Sequence, residues 1–329
     1  MCGLVAASAR RNIRDILING LHTLEYRGYD SAGIALQQGD HLVRHRTAGK
    51  VRDLETLLQA NPVDGQCGIS HTRWATHGVP NTSNAHPHVS GDQLALVHNG
   101  IIENHETLRQ ELTQLGCQFN SDTDTEVMVH LVAHLMSSGL DLFSAVRKAI
   151  GRLRGAFAIA VVSAAEPGVV VGARKGSPLV LGLGDGENFL ASDVYPLLDE
   201  TDRFVFLNEG DVVRLDADSI QVVDDNDQAV ERPVKQVETK SDAVQRGDYP
   251  HYMLKEIFEQ PQAVAETLEG RLSATTVLPN IFGVGAEDTL REVQQIHIVA
   301  CGTSYHAGLV ARYQIEQLAG IPCQAEIAS

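Results

Sequence analysis

Residues 1–9 read Met1-Cys2-Gly3-Leu4-Val5-Ala6-Ala7-Ser8-Ala9. Leu4–Ser8 has the apolar, small-residue composition of a buried strand, and a cysteine stands just ahead of it, at position two. Initiator methionine is removable before a small residue. Its removal would leave Cys2 holding a thiol and a free α-amine on one frame. An α-amine titrates at about 7.7–8, so it can serve the thiol as general base without a separate histidine. The plainer alternative is a small apolar residue leading a strand, because free cysteine is commonly buried.

The stretches that follow support a layered domain around that first strand. Ile13, Ile16, Leu17, Leu21 and Leu24 recur at helical spacing, with Gly28 a stop. Ile34–Leu36 and Leu42–Val43 flank Gly39-Asp40 as a hairpin, and residues 51–59 read as a helix. Ile69 and Leu94–Val97 read as strands, residues 101–115 as a helix ending at Gly116. Thr123-Asp124-Thr125-Glu126 is a capping-box pattern opening a helix through Met136. Six short apolar runs follow, at 157–162, 169–171, 179–183, 204–207, 212–215 and 220–223. Strands in series with Gly and Asp turns imply antiparallel sheets, and helices outside them imply an α+β domain over residues 2–227. Residues 228–250 read as a linker. From His251 a helix-like segment is expected to break at Pro261. A buried strand at 296–300, a loop at 301–304 and a helix at 305–318 then read as the opening of a parallel α/β domain over 251–329. The 28 residues after Cys301 are too few to complete such a sheet, so this domain is expected to be incomplete.

Composition narrows the function. The chain has 329 residues, 26 Lys+Arg against 42 Asp+Glu, and a net charge of −16, which argues against nucleic acid as main partner. Hydrophobic residues at 43% and charged residues at 21% describe an ordinary globular chain. No apolar run reaches the ~18–20 residues of a membrane span. Arg10 and Arg11 interrupt the first apolar stretch where a secretory signal would continue. The five cysteines are odd in number, widely spaced and without CxxC, so a reduced, cytoplasmic protein is expected.

Several clusters invite chemistry. Arg73, beside the chain's only tryptophan, Trp74, can grip a carboxylate bidentately or be an ordinary surface arginine. Asn84-Ala85-His86-Pro87-His88, with His71, His77 and His98, invites a metal. No HExxH or finger spacing accompanies these histidines, so hydrogen-bonded imidazoles are the better reading. In His98-Asn99-Gly100, read as a strand end opening a helix, the Asn amide and the Gly N–H can form an oxyanion hole or a cap and tight turn. Asp124 can bind an ammonium or simply favour a helix dipole. Gly182-Leu183-Gly184-Asp185-Gly186 is not GxGxxG and reads as a turn. Cys301-Gly302-Thr303-Ser304 ahead of a helix suits a phosphate or an ordinary β–α turn.

Taken in order, Met1-Cys2-Gly3, residues 26–33, 72–78, 84–88, 98–104 and 123–126 resemble the glutamine–fructose-6-phosphate aminotransferase family. The resemblance implies a four-layer αββα N-terminal-nucleophile hydrolase fold followed by the opening of a truncated sugar-isomerase (SIS) domain. By it, Cys2 is the nucleophile, Asn99 and Gly100 hold the oxyanion, and Arg73 and Asp124 clamp the α-carboxylate and α-ammonium of free L-glutamine. Thr76 and His77 lie near the carboxylate, Trp74 gates an ammonia path, and Arg27 and His86 are gating or structural. Thr303 and Ser304 contact phosphosugar. Fructose 6-phosphate would be the second substrate, the full-length protein a homo-oligomer, and no metal, nicotinamide, flavin or pyridoxal is implied. Where the family usually has Gly, this chain has Ala6, which would strain a positive-φ backbone. Alternatives are another class II amidotransferase, a non-catalytic phosphosugar sensor and a fragment kept only for subunit contacts.

Overall fold

The computed structural model describes residues 2–328 except 26, 28, 75–77, 238–248, 269–270, 274–275 and 284. The chain divides into two compact units, Met1–Val284 and Gly285–Ser329.

The first unit runs β1 (Gly3–Ala9), α1 (Arg14–Leu24), β2 (Ser31–Gln38), β3 (His41–Ala48), α2 (Val51–Ala60), β4 (Cys67–Arg73), β5 (His88–Ser90), β6 (Leu94–Ile102) and α3 (His105–Gln114). It continues with α4 (Thr125–Ser137), α5 (Leu142–Ile150), β7 (Gly155–Ser163), β8 (Val170–Lys175), β9 (Val180–Leu183) and β10 (Glu187–Ala191). Then come β11 (Arg203–Phe206), β12 (Val212–Leu215), β13 (Ile220–Val223), β14 (Val234–Gln236) and α6 (Tyr252–Leu268). Among the described residues one sheet has the order β14-β11-β9-β10-β1-β4-β2-β3 and the other β13-β12-β8-β7-β6-β5. Every pair in both is antiparallel.

Strand period explains the layering. In β1, Leu4 and Ala6 face the second sheet, where they join Ile69, Ala95, Val97, Ala158 and Ala160. Val5, Ala7 and Ala9 face the other way and join Ile13, Leu17, Leu21 and Leu24 of the α1 segment. On the far side, Leu96, Ile159 and Val161 pack beneath Val127, Leu131, Leu135, Val146 and Ala149 of α4 and α5. Helices therefore cover both outer faces of two stacked sheets, the expected αββα order. Ala6 is fully buried in regular strand between β10 and β4, and Asp227 is the one non-glycine with positive φ among the described residues. Ala6 is therefore tolerated here without positive-φ strain.

Several expectations need correction. β6 runs through His98, Asn99 and Gly100 to Ile102, so this tripeptide lies inside a strand, and the following helix starts at His105, not 101. Pairing with β7 out to Ile102 extends the strand. The expected capping box is only half formed. Thr123 Oγ1 accepts the Glu126 N–H at 3.4 Å, but the Glu126 carboxylate takes the N–H groups of Asn120 and Ser121, both at 2.8 Å. Helix α5 and strand β10 are additions to the expected elements. Val234–Gln236, within the expected linker, pairs with β11, while 238–248 lie outside the described residues. Arg232 anchors the same segment by two hydrogen bonds to fully buried Asp211, at 2.9 and 2.7 Å. Helix α6 passes through Pro261 without a break.

The second unit holds α7 (Ala286–Glu292), β15 (Ile296–Ala300), α8 (Gly302–Ala319) and β16 (Cys323–Ile327). β15 and β16 pair in parallel across α8, as the strand–loop–helix reading anticipates. Within this unit β15 is not buried: Val299 is 62% exposed. Among the described residues no helix is long and apolar enough to cross a membrane.

Candidate active site at one end of the sandwich

Cys2 immediately precedes β1. Gly3 opposes Thr72, so the register carries Cys2 to the end of β4. There the Trp74 N–H donates to Cys2 Sγ at 3.3 Å, and the thiol reaches Trp74 O at 3.7 Å. From the facing sheet Asn99 Nδ2 donates to Cys2 O at 3.3 Å. The next residue, Gly100, takes a conformation closed to other residues. Its φ is +130°, and a Cβ there would lie 2.0 Å from Ala156 O, so only glycine fits. Burial pushes the Cys2 thiol up, while the Trp74 backbone and Arg73 pull it back down.

Cys2, Arg73, Trp74, Gly100, Asp124 and His86 line one cavity, with His98, Thr123 and Thr125 completing its wall. Arg73 and Asp124 are 3% and 4% exposed. Charges so deeply placed need fixed partners. Arg73 Nη2 donates to Gly78 O at 3.3 Å, and Asp124 Oδ2 accepts the Ile102 N–H at 2.8 Å. Asp124 makes no side-chain cap to its own helix, so its carboxylate serves β6 and the cavity rather than α4. Cation, anion and thiol around one small cavity suit a zwitterionic amino acid with a reactive side chain.

The remaining candidates fall elsewhere. Thr76 and His77 lie outside the described residues. Arg27 does not line this cavity; it pairs with Asp193 at 2.5 Å in a separate cleft beside α6. Trp74 is 37% exposed, its ring edge-on to Tyr29 at 5.7 Å. Thr303 and Ser304 are exposed in the first turn of α8, in the second unit.

The histidines form a buried, hydrogen-bonded stack. His71 stacks on His86 at 4.1 Å, and His86 meets His88 edge-on at 4.8 Å. Thr125 Oγ1 bridges His86 Nε2 and His98 Nδ1, at 2.9 and 3.0 Å. Thr123 Oγ1 holds His88 Nε2 at 3.0 Å. Desolvation pushes His71 down to about 3 and lowers His86 and His88 strongly, so these rings are neutral at pH 7. Gly33 lets the His86 backbone approach: a Cβ there would sit 2.1 Å from His86 O. Among the described residues no group of three or more His, Cys, Asp or Glu could hold a metal. Sequence reasoning missed the roles of His71 and Thr125. Their only signal was polar residues at strand and helix positions where apolar ones would ordinarily be buried.

The fold and this site define a class II glutamine amidotransferase. A glutamine amidotransferase domain family matches residues 71–199. Two solved structures share the architecture. An allosteric regulatory enzyme of purine biosynthesis is 25% identical, with a TM-score of 0.60 over 68% of this chain and 49% of that one. A glutamine phosphoribosylpyrophosphate amidotransferase from B. subtilis, 20% identical, gives 0.57 over 98% and 65%. Among curated relatives, the glutamine–fructose-6-phosphate aminotransferase (isomerizing) of Pseudomonas putida is 55% identical over all of this chain and 54% of its own length. That of Yersinia pestis is 52% identical with the same coverage. The chain belongs to the family of glutamine–fructose-6-phosphate aminotransferases (isomerizing) and spans about half the length of the curated relatives it matches.

Proposed function

We propose that the first unit hydrolyses free L-glutamine to glutamate and ammonia, with Cys2 as nucleophile once Met1 is removed. The observation that carries this reading is the meeting of Cys2 with the buried charges of Arg73 and Asp124 at one cavity, with the Asn99 carboxamide bound to the Cys2 backbone carbonyl. Arg73 takes the substrate α-carboxylate and Asp124 its α-ammonium, which selects free glutamine over glutamine within a peptide. The Cys2 α-amine removes the thiol proton, sulfur attacks the side-chain amide carbon, and the carbonyl oxygen becomes an oxyanion. Asn99 Nδ2 and the Gly100 N–H hold that charge. The amine returns its proton to the leaving nitrogen, ammonia departs, and a glutamyl thioester remains. Water, activated by the same amine, hydrolyses the thioester. Trp74 at the cavity mouth gates the ammonia, while Arg27, paired with Asp193, holds the neighbouring cleft.

In the complete protein the ammonia would convert fructose 6-phosphate to glucosamine 6-phosphate. The second unit would belong to the sugar-isomerase part, with Thr303 and Ser304 at the α8 N-terminus contacting phosphate, and the assembly would be a homo-oligomer. We place it in the cytoplasm; the free state of all five cysteines agrees with a reducing compartment. The test is glutamate release from glutamine by the chain beside Cys2→Ala, with intact mass reporting Met1. Release by the parent and none by the variant is expected. Equal release by both would end the reading.

A further inference from the structure

We infer that His71 is the positioning residue that fixes which end of the Asn99 carboxamide faces Cys2. The inference rests on the glutamine-hydrolysis reading above and adds a residue to it.

His71 Nε2 lies 3.0 Å from His98 O and 3.0 Å from Asn99 Oδ1. A carbonyl oxygen only accepts, so Nε2 must carry the proton. The other ring nitrogen agrees. His71 Nδ1 is buried with no partner among the described residues, so a proton there would be an unsatisfied donor. A ring in this fully buried position is neutral and has one proton to place. With Nε2–H pointing at the carboxamide, the Asn99 atom facing His71 has to be oxygen. From the other side Cys2 O makes the matching demand, since it needs the NH2 end, which lies 3.3 Å away. A flipped carboxamide would set N–H against N–H at His71 and oxygen against oxygen at Cys2.

The ring itself is held. His71 is fully buried and stacks on His86 with an interplanar angle of 28°, and His86 Nε2 is tied to Thr125. His71 thus keeps the NH2 of Asn99 aimed at the side where the oxyanion forms, without touching substrate. An isolated asparagine would lose this aim in part of the population, and a misdirected oxyanion donor contributes nothing in the transition state.

The test compares two amide replacements. In His71→Gln the new amide nitrogen reaches the place of Nε2; in His71→Asn it reaches only the place of Nδ1. His71→Asn should lower kcat for glutamine hydrolysis about 10- to 100-fold with KM changed less than about threefold. His71→Gln should recover most of that loss. Alkylation of Cys2 by iodoacetamide, which forms no oxyanion, should proceed at the parent rate in both. In an Asn99→Ala background, adding His71→Asn should cost little more. A kcat for His71→Asn within threefold of the parent would overturn the inference. So would loss of alkylation in step with turnover, or a Gln variant no better than Asn. Melting temperatures separate misfolding from misaiming, and His71→Gln, a polar replacement of similar reach, keeps the comparison available if His71→Asn does not fold. Cys2-independent glutamate release in the parent, or none at all, would instead remove the underlying reading and this inference with it.

Discussion

The space between the two sheets has an apolar middle and a polar end. In the middle Leu4, Ala6, Ile69, Ala95 and Val97 meet, all fully buried. Two residues further along the same strands, His71 replaces Ile69 as the inward residue of β4, and Asn99 replaces Val97 in β6. The backbone ladder continues unchanged through both regions. The middle supplies stability by removing apolar surface from water, an effect indifferent to pH. The end supplies chemistry, and its buried His71, His86 and His88 rings are tolerable because they stay neutral and each makes a hydrogen bond to a neighbouring polar group. One scaffold therefore separates stability from reactivity by position along a strand.

That separation can be broken by substitution. The largest effect is expected of Cys2→Ala, which should take glutamate release to background while leaving the denaturation midpoint within about 1 kcal/mol of the parent, because it removes one sulfur at the edge of the core. A large stability loss would mean that the thiol is part of the core. Ile69→Ala should do the reverse, costing about 2–5 kcal/mol in urea unfolding with kcat per folded molecule unchanged. A fall in its kcat would show that the middle and the end are coupled. Asn99→Ala should lower kcat about 10²–10³-fold with little change in KM or stability. A rise in KM alone would reassign Asn99 to substrate binding.

The smallest expected effect is a pH slope. His71, His86 and His88 have folded-state pKa values below the unfolded value of about 6.5, so below that pH the unfolded chain binds protons that the fold refuses. Stability is complete above about pH 6.5 and is lost as pH falls toward about 3, the folded-state value of His71 and His88. Urea midpoints between pH 7 and 5 should be less pH-dependent in His88→Gln than in the parent. An unchanged slope would show that other groups titrate there.

Much of the site was readable as residue types: Cys2 at the start, Arg73, Asn99, Gly100 and Asp124 each had a chemical alternative to a bland role. The elements carrying them were read less well. β6 was cut short because Asn-Gly ordinarily marks a turn, and only pairing with Gly155–Ile159 keeps that segment extended. β10 escaped notice because Glu187 and Asn188 dilute its apolar run, yet it lies beside β1 in the sheet. The spacing of Leu142, Ala145, Val146 and Ala149 after the Asp141 cap does spell α5, a pattern present in the sequence and passed over. β15 looked buried from its Ile296 and Ile298, but burial depends on what packs over a strand, which local pattern does not contain.

By itself the sequence determined the alternation that makes two-faced strands, the helical stripes that cover them, and the placement of a thiol at the second residue. Tertiary structure alone decided that Cys2, Arg73 and Asp124 meet at one cavity and that Asn99 reaches the Cys2 carbonyl, because strand register and sheet stacking bring together residues distant in sequence. It also decided the orientation of the Asn99 amide. A carboxamide has two nearly isosteric ends, and only surrounding donors and acceptors, supplied by distant strands, tell them apart.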